Sequence, residues 1–217
     1  MEKSRRTQYI AIIALVIGVV GLSIGFSAFS SVLPIQSSAT VKPDSSTMNV
    51  DFSSSSTEVL TEKITPTVTG TTATATDATI DNTSAPTISN LSATFTAPGQ
   101  KAVYSFYAYN AGELEAFLKS IVYSNATGGT APKVCTAKSG TTDTLVQNAC
   151  NGISLKVKVG TEAEVSGGKA GITTHSLAKK TSEKVEVTIE YAADADRADG
   201  DFTVSFGDVT LNYSSTD

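Results

Sequence analysis

The chain has 217 residues, 17% of them charged, with a formal net charge of −5, one histidine, two cysteines and no tryptophan. That length holds one domain of ordinary size after an N-terminal segment. The acidic balance argues against nucleic acid as a partner, because phosphates repel it, and a single histidine rules out any multi-histidine zinc centre.

Residues 1–6 are polar and basic, with Lys3, Arg5 and Arg6 against Glu2. From Tyr9 to Leu33 the chain is almost wholly apolar, and no charge appears between Thr7 and Lys42. About 20 apolar residues suffice for a membrane-spanning helix. The basic flank places the N-terminus in the cytoplasm and the remainder outside. Two fates are open. Ala28-Phe29-Ser30 puts small residues at the −3 and −1 positions of a signal-peptidase cut after Ser30, whereas the length of the run favours a retained anchor over residues 9–33. Ser4-Arg5-Arg6 is a poor twin-arginine signal, and Leu33-Pro34-Ile35-Gln36-Ser37 is misplaced for covalent wall anchoring. The expected organisation is therefore a basic, apolar export segment over 1–36 and an extracellular domain over 37–217. Removing residues 1–30 leaves 13 basic and 20 acidic residues, a balance that mostly confers solubility.

Residues 37–86 are Ser/Thr-rich and partly stalk-like, but alternating pieces at Met48–Phe52, Ile64–Val68 and Thr72–Ile80 suggest early strands with one wet face. Ile88, Leu91 and Phe95 lead to a Pro98-Gly99 turn. Val103–Tyr109 is apolar on both faces and is expected to be a central strand covered twice. Glu113–Tyr123 fits a helix or a slipped strand, and its neighbours favour a strand. Asn125–Gly152 reads as a long polar loop, and 160–177 as another. Ile153–Val159, Val185–Tyr191, Phe202–Phe206 and Val209–Tyr213 alternate cleanly, the last two meeting at Gly207-Asp208 as a hairpin or bulge. Many short strands at this spacing imply an all-β antiparallel sandwich or jelly roll.

Cys135 and Cys150 sit close together in an exported chain, and a disulfide is expected. Asp194, Asp196, Asp199 and Asp201 crowd one loop with Gly200. Calcium would relieve their repulsion, but Ala198 stands where the EF-hand pattern needs an oxygen, and a solvated turn is the preferred reading. His175 is expected to be exposed in its loop, with no nucleophile turn nearby, so no catalytic set and no enzyme activity are expected. Asn82, Asn90, Asn125 and Asn212 open Asn-x-Ser/Thr triplets, which matter only in a host that glycosylates them. The aromatic run Tyr104–Tyr109 is either core or a groove for sugar.

Three features together resemble the TasA/camelysin group of secreted biofilm-fibre proteins: the export segment ending Phe26-Ser27-Ala28-Phe29-Ser30, the strand running into Asn110-Ala111-Gly112-Glu113 with Ala116 following, and the acidic, glycine-containing stretch before Phe202-Thr203-Val204. The resemblance covers about the first thirty residues and 101–122. It implies a jelly-roll fibre subunit of the cell surface or extracellular matrix that polymerises by donor-strand exchange, its partners being further copies or other matrix proteins. The donor segment would be Ser31–Val41, with Leu33, Ile35 and Val41 as its apolar teeth. The alternative is a membrane-anchored adhesion module for polysaccharide or protein.

Overall fold

A computed structural model describes residues 9–20, 48–57, 63–125, 131–138, 140–166 and 175–216. The chain divides into two compact units, Met1–Lys42 and Pro43–Asp217. In the first, residues 9–20 form helix α1 with its large apolar side chains, Ile10, Leu15 and Ile17 among them, exposed. Among the described residues no helix is long and apolar enough to cross a membrane. The expected span of 9–33, the cut after Ser30 and the donor teeth Leu33, Ile35 and Val41 extend into or lie wholly outside the described residues.

Among its described residues the second unit is antiparallel β with one helix. One sheet has the order β1 (Val50–Ser53), β8 (Lys101–Asn110), β14 (Ser182–Tyr191), β11 (Ile153–Val159) and β12 (Val165–Ser166), with β3 (Thr67–Thr69) also pairing with β8. Strict alternation explains its long strands: Ile153, Leu155, Val157 and Val159 of β11, and Val185, Val187, Ile189 and Tyr191 of β14, are buried while the intervening polar residues face water. β8 is central, as expected, but not covered twice. Tyr104, Phe106 and Ala108 are buried, whereas Ser105 is exposed and Tyr107 and Tyr109 are half-buried. Their rings are amphipathic enough to lie along a wet face.

The opposing strands form two further sheets, one of four strands and one of six. One runs β10 (Lys133–Ala137), β15 (Phe202–Phe206), β7 (Ser92–Phe95), β4 (Thr74–Ala75); the other runs β13 (His175–Leu177), β9 (Ala116–Tyr123), β16 (Val209–Ser214), β6 (Thr87–Ser89), β5 (Ala78–Asp81), β2 (Lys63–Ile64). Set side by side, the orders match: β10 and β9, β15 and β16, β7 and β6, β4 and β5 hold corresponding places. The two sheets are thus halves of one broken layer. Asn90 turns the chain there with φ 61°, and the Phe206 amide still donates to the Leu91 carbonyl at 2.9 Å across the break. The junction at Gly207-Asp208 is therefore not a hairpin: β15 and β16 lie in different sheets, end to end. A Cβ on Gly207 would come 2.2 Å from Ser124 Oγ, so any larger residue would have to displace that hydroxyl from its place at the crossing.

Aromatic side chains fill the space between the layers. Tyr191 of β14 meets Phe202 at 5.5 Å and Phe95 at 6.0 Å between ring centroids, and Phe106 packs edge-on against Phe52 at 4.6 Å. Tyr104 Oη lies 2.9 Å from the Ser92 carbonyl and 3.2 Å from that of Thr76, and accepts the Ser92 amide. Burial pushes its phenol up to about 12.

Regular elements fall in three stretches that the sequence left ambiguous or read as loop. Residues 116–123 are strand, as expected. The supposed loop 125–152 contains β10 and helix α2 (Asp143–Asn151), which buries Val146, Ala149 and Cys150. The supposed loop 160–177 contains β12 and β13. These elements are two to nine residues long, too short for periodicity to stand out against polar neighbours.

Truncation of Phe106 to alanine should cost about 3–5 kcal/mol in urea unfolding, since a buried aromatic leaves a cavity. Ser105→Ala on the opposite face of the same strand should stay within about 0.5 kcal/mol.

Candidate functional site

The expected disulfide is present: Cys135 of β10 is bonded to Cys150 of α2 across a separation of 15 residues. It ties the helix to the strand that ends the β15 ladder. Beside it, Lys133 Nζ donates to the Ile153 carbonyl at 2.6 Å, and burial lowers the pKa of that amine.

The acidic loop does not assemble into a cation site. Asp199 accepts the Thr142 amide at 2.9 Å and the Thr142 hydroxyl at 2.6 Å. It thereby holds the residue that opens α2, which has no side-chain cap of its own. Those bonds, the hydroxyl's first, lower the Asp199 pKa. Asp201 pairs with Lys138 at 3.8 Å. Asp194 and Asp196 are exposed, and the Asp196 backbone carbonyl accepts the Tyr191 hydroxyl. Among the described residues no group of three or more His, Cys, Asp or Glu side chains is placed to hold a metal. Two of the four carboxylates are engaged instead, Asp199 with the α2 start and Asp201 with Lys138.

His175 is the larger correction. It lies on strand β13, 9% exposed, and both ring nitrogens meet carboxylates. Nδ1 is 3.0 Å from Glu162 Oε1, and Nε2 is 2.5 Å from Glu183 Oε2. Tyr213 Oη donates to the other Glu183 oxygen at 3.2 Å. Four groups thus converge from both layers: His175 and Tyr213 from the broken layer, Glu183 from β14, and Glu162 from the turn after β11. Burial opposes charge on His175, but the hydrogen bond to Glu162 and the charge and hydrogen bond of Glu183 outweigh it and raise the imidazole pKa. Burial raises the Glu183 carboxyl above the usual carboxylate range and, with Glu183 beside it, raises the Tyr213 phenol well above its ordinary value. Gly160, at φ 54°, completes the packing: a Cβ there would stand 2.8 Å from Glu183 Oε2. One signal for this cluster was available in the sequence. Glu183 shares the parity of Val185, Val187, Ile189 and Tyr191, so it points to the buried side of its strand.

Other expectations resolve individually. Tyr104 and Phe106 are in the core, so no sugar-binding groove forms from them. Asn82 exchanges both amide bonds with the Phe52 backbone, at 2.8 and 3.0 Å, and so acts as a strand residue beside β1. On the outer face of the first sheet a shallow recess of about 570 Å³ is lined by Lys101, Lys156, Lys158, Glu164, Glu186 and Glu190. Lys156 is paired there with Glu190 and, at 3.9 Å, with Glu164.

No protein-family model and no curated protein matches the chain. Among solved structures, that of a Paenibacillus sp. cycloisomaltooligosaccharide glucanotransferase in complex with cycloisomaltoheptaose is similar over 65% of this chain, at 13% identity and a TM-score of 0.21. The match spans 17% of that enzyme's chain. Likeness at this level carries no argument about fold or activity.

Reducing the Cys135–Cys150 bond should lower stability by roughly 3 kcal/mol, as expected for a loop of this length, read as a lower urea midpoint under reductant. Neither calcium nor a chelator should move that midpoint.

Proposed function

We propose that the chain is an exported cell-surface or extracellular-matrix structural protein, a jelly-roll fibre subunit that assembles by donor-strand exchange. The N-terminal apolar segment directs export and, if retained over residues 9–33, anchors the chain in the membrane with its N-terminus in the cytoplasm. After cleavage at Ser30, residues 31–41 are free to complete the sheet of another copy, with Leu33, Ile35 and Val41 seated in its core.

One observation carries this reading. Among the described residues, every sheet ends in strands of five residues or fewer, and seven-residue β11 is paired on its outer side by β12 only at Lys156 and Val157. A sheet edge with unfilled ladder positions is a template for an added strand. The short edges of the native fold keep that template from pairing indiscriminately.

Electron microscopy of the mature chain should show filaments whose length grows with concentration. Leu33→Asp with Ile35→Asp should leave the domain folded by circular dichroism but monomeric. A wild-type chain that stays monomeric at high concentration across pH would remove the proposal. Filaments from the double variant would remove the assigned donor strand.

A further inference from the structure

We propose that His175 is a proton-operated latch that holds edge strand β13 on β9, shut when the imidazole is charged and released when it is neutral.

The contacts of the ring support this. A carboxylate accepts hydrogen bonds and cannot donate them, and a neutral imidazole has a single N–H. Both His175 nitrogens touch carboxylate oxygens, at 3.0 and 2.5 Å. With Glu162 and Glu183 ionised, both contacts are bonds only if the ring carries both protons. When one is lost, a ring lone pair faces a carboxylate oxygen, and the contact turns repulsive. Glu183, whose side chain is 11% exposed, is then a buried anion without its cation, the costly arrangement.

What the latch holds is small. β13 has three residues, and its ladder to β9 is His175 to Leu118, Ser176 to Phe117 and Leu177 to Ala116. A ladder of three pairs has little stability of its own. One further bond helps retain its far end: Asn110 Nδ2 donates to the Leu177 carbonyl at 3.0 Å. At its near end, among the described residues, His175 makes the side-chain contacts to Glu162 and Glu183. The groups facing the ring are Glu162 from the turn after β11, Glu183 from β14 and, through Glu183, Tyr213 from β16, while β9 meets β13 with Ala116, Phe117 and Leu118. Release would uncover the backbone edge of β9 at 116–118 and the side chain of Leu118, which is 2% exposed in the closed form. In the fibre reading above, this is a second edge on which a strand from another copy can add.

The sign follows from linkage. His175 is raised above its ordinary 6.5, so its contribution is complete below about 6.5 and is lost as pH rises through the higher folded value. This places release on the alkaline side of the histidine titration.

His175 is the one histidine in the chain, so its ring resonance is unambiguous by nuclear magnetic resonance, and hydrogen exchange reads β13 and β9 directly. Both are measured on dilute full chain, below any polymerisation, and so stand apart from the fibre reading. The resonance should titrate above 6.5. Protection of 116–118 and 175–177, corrected for intrinsic rates, should fall as pH rises, by up to about tenfold for each unit by which the folded pKa exceeds the unfolded one. Amides of β11 and β14 should hold. Glu162→Gln, which alters a half-exposed partner and spares the core, should lower the titration midpoint. His175→Gln should abolish the pH dependence of the 116–118 amides. A ring titrating at or below 6.5, constant protection of β13 across the titration, or the same pH dependence in His175→Gln would each overturn the latch.

Discussion

The two layers close because their facing strands bury every second side chain, and Tyr191 shows how the rest depends on that constraint. Its ring packs on Phe95 and Phe202 of the opposite layer. Its backbone carbonyl accepts the Gly99 amide, its own amide donates to Gln100, and its hydroxyl reaches the backbone of the acidic loop. Burial of an aromatic ring contributes a few kcal/mol. Here the same residue also positions the Pro98-Gly99 turn and the 194–201 loop, so features that look local in sequence are set by the interior of the sandwich.

The broken layer is the second organising feature. Three chain paths pass from one half to the other at Asp77, Asn90 and Gly207. The twist of a long strand strains a flat partner, and interrupting the strands lets each half follow the curvature of the unbroken sheet. The break also places β13 and the His175 cluster at the end of the β9 half and the disulfide at the end of the β10 half. A covalent fastener and an ionic one thus sit at two ends of the same face. The covalent bond is insensitive to protonation, whereas the ionic one depends on it.

Much of this was legible beforehand. The alternation of β11, β14, β15 and β16 located the core strands and their buried faces because period 2 is a strong signal over five or more residues. The cysteine pair followed from its spacing and from the export that the sequence led us to expect. β10, α2 and β13 were not legible, since a five-residue strand with an outward Val134, a helix carrying Gln147, Asn148 and Asn151, and a three-residue strand have no periodicity to separate them from loop. The double covering expected for β8 failed because tyrosine counts as apolar in a pattern yet tolerates water at its hydroxyl.

By itself the sequence determined that a basic, apolar segment precedes an acidic, all-β domain with one disulfide, because composition and alternation act on every residue independently of its distant neighbours. Tertiary structure alone decided where the single histidine went and what the acidic loop does. Those outcomes depend on which groups meet across two layers: Glu162, Glu183 and Tyr213 around His175, and Thr142 and Lys138 for the aspartates. A carboxylate acquires its role from the partner that reaches it, and here those partners lie from 8 to 63 residues away along the chain.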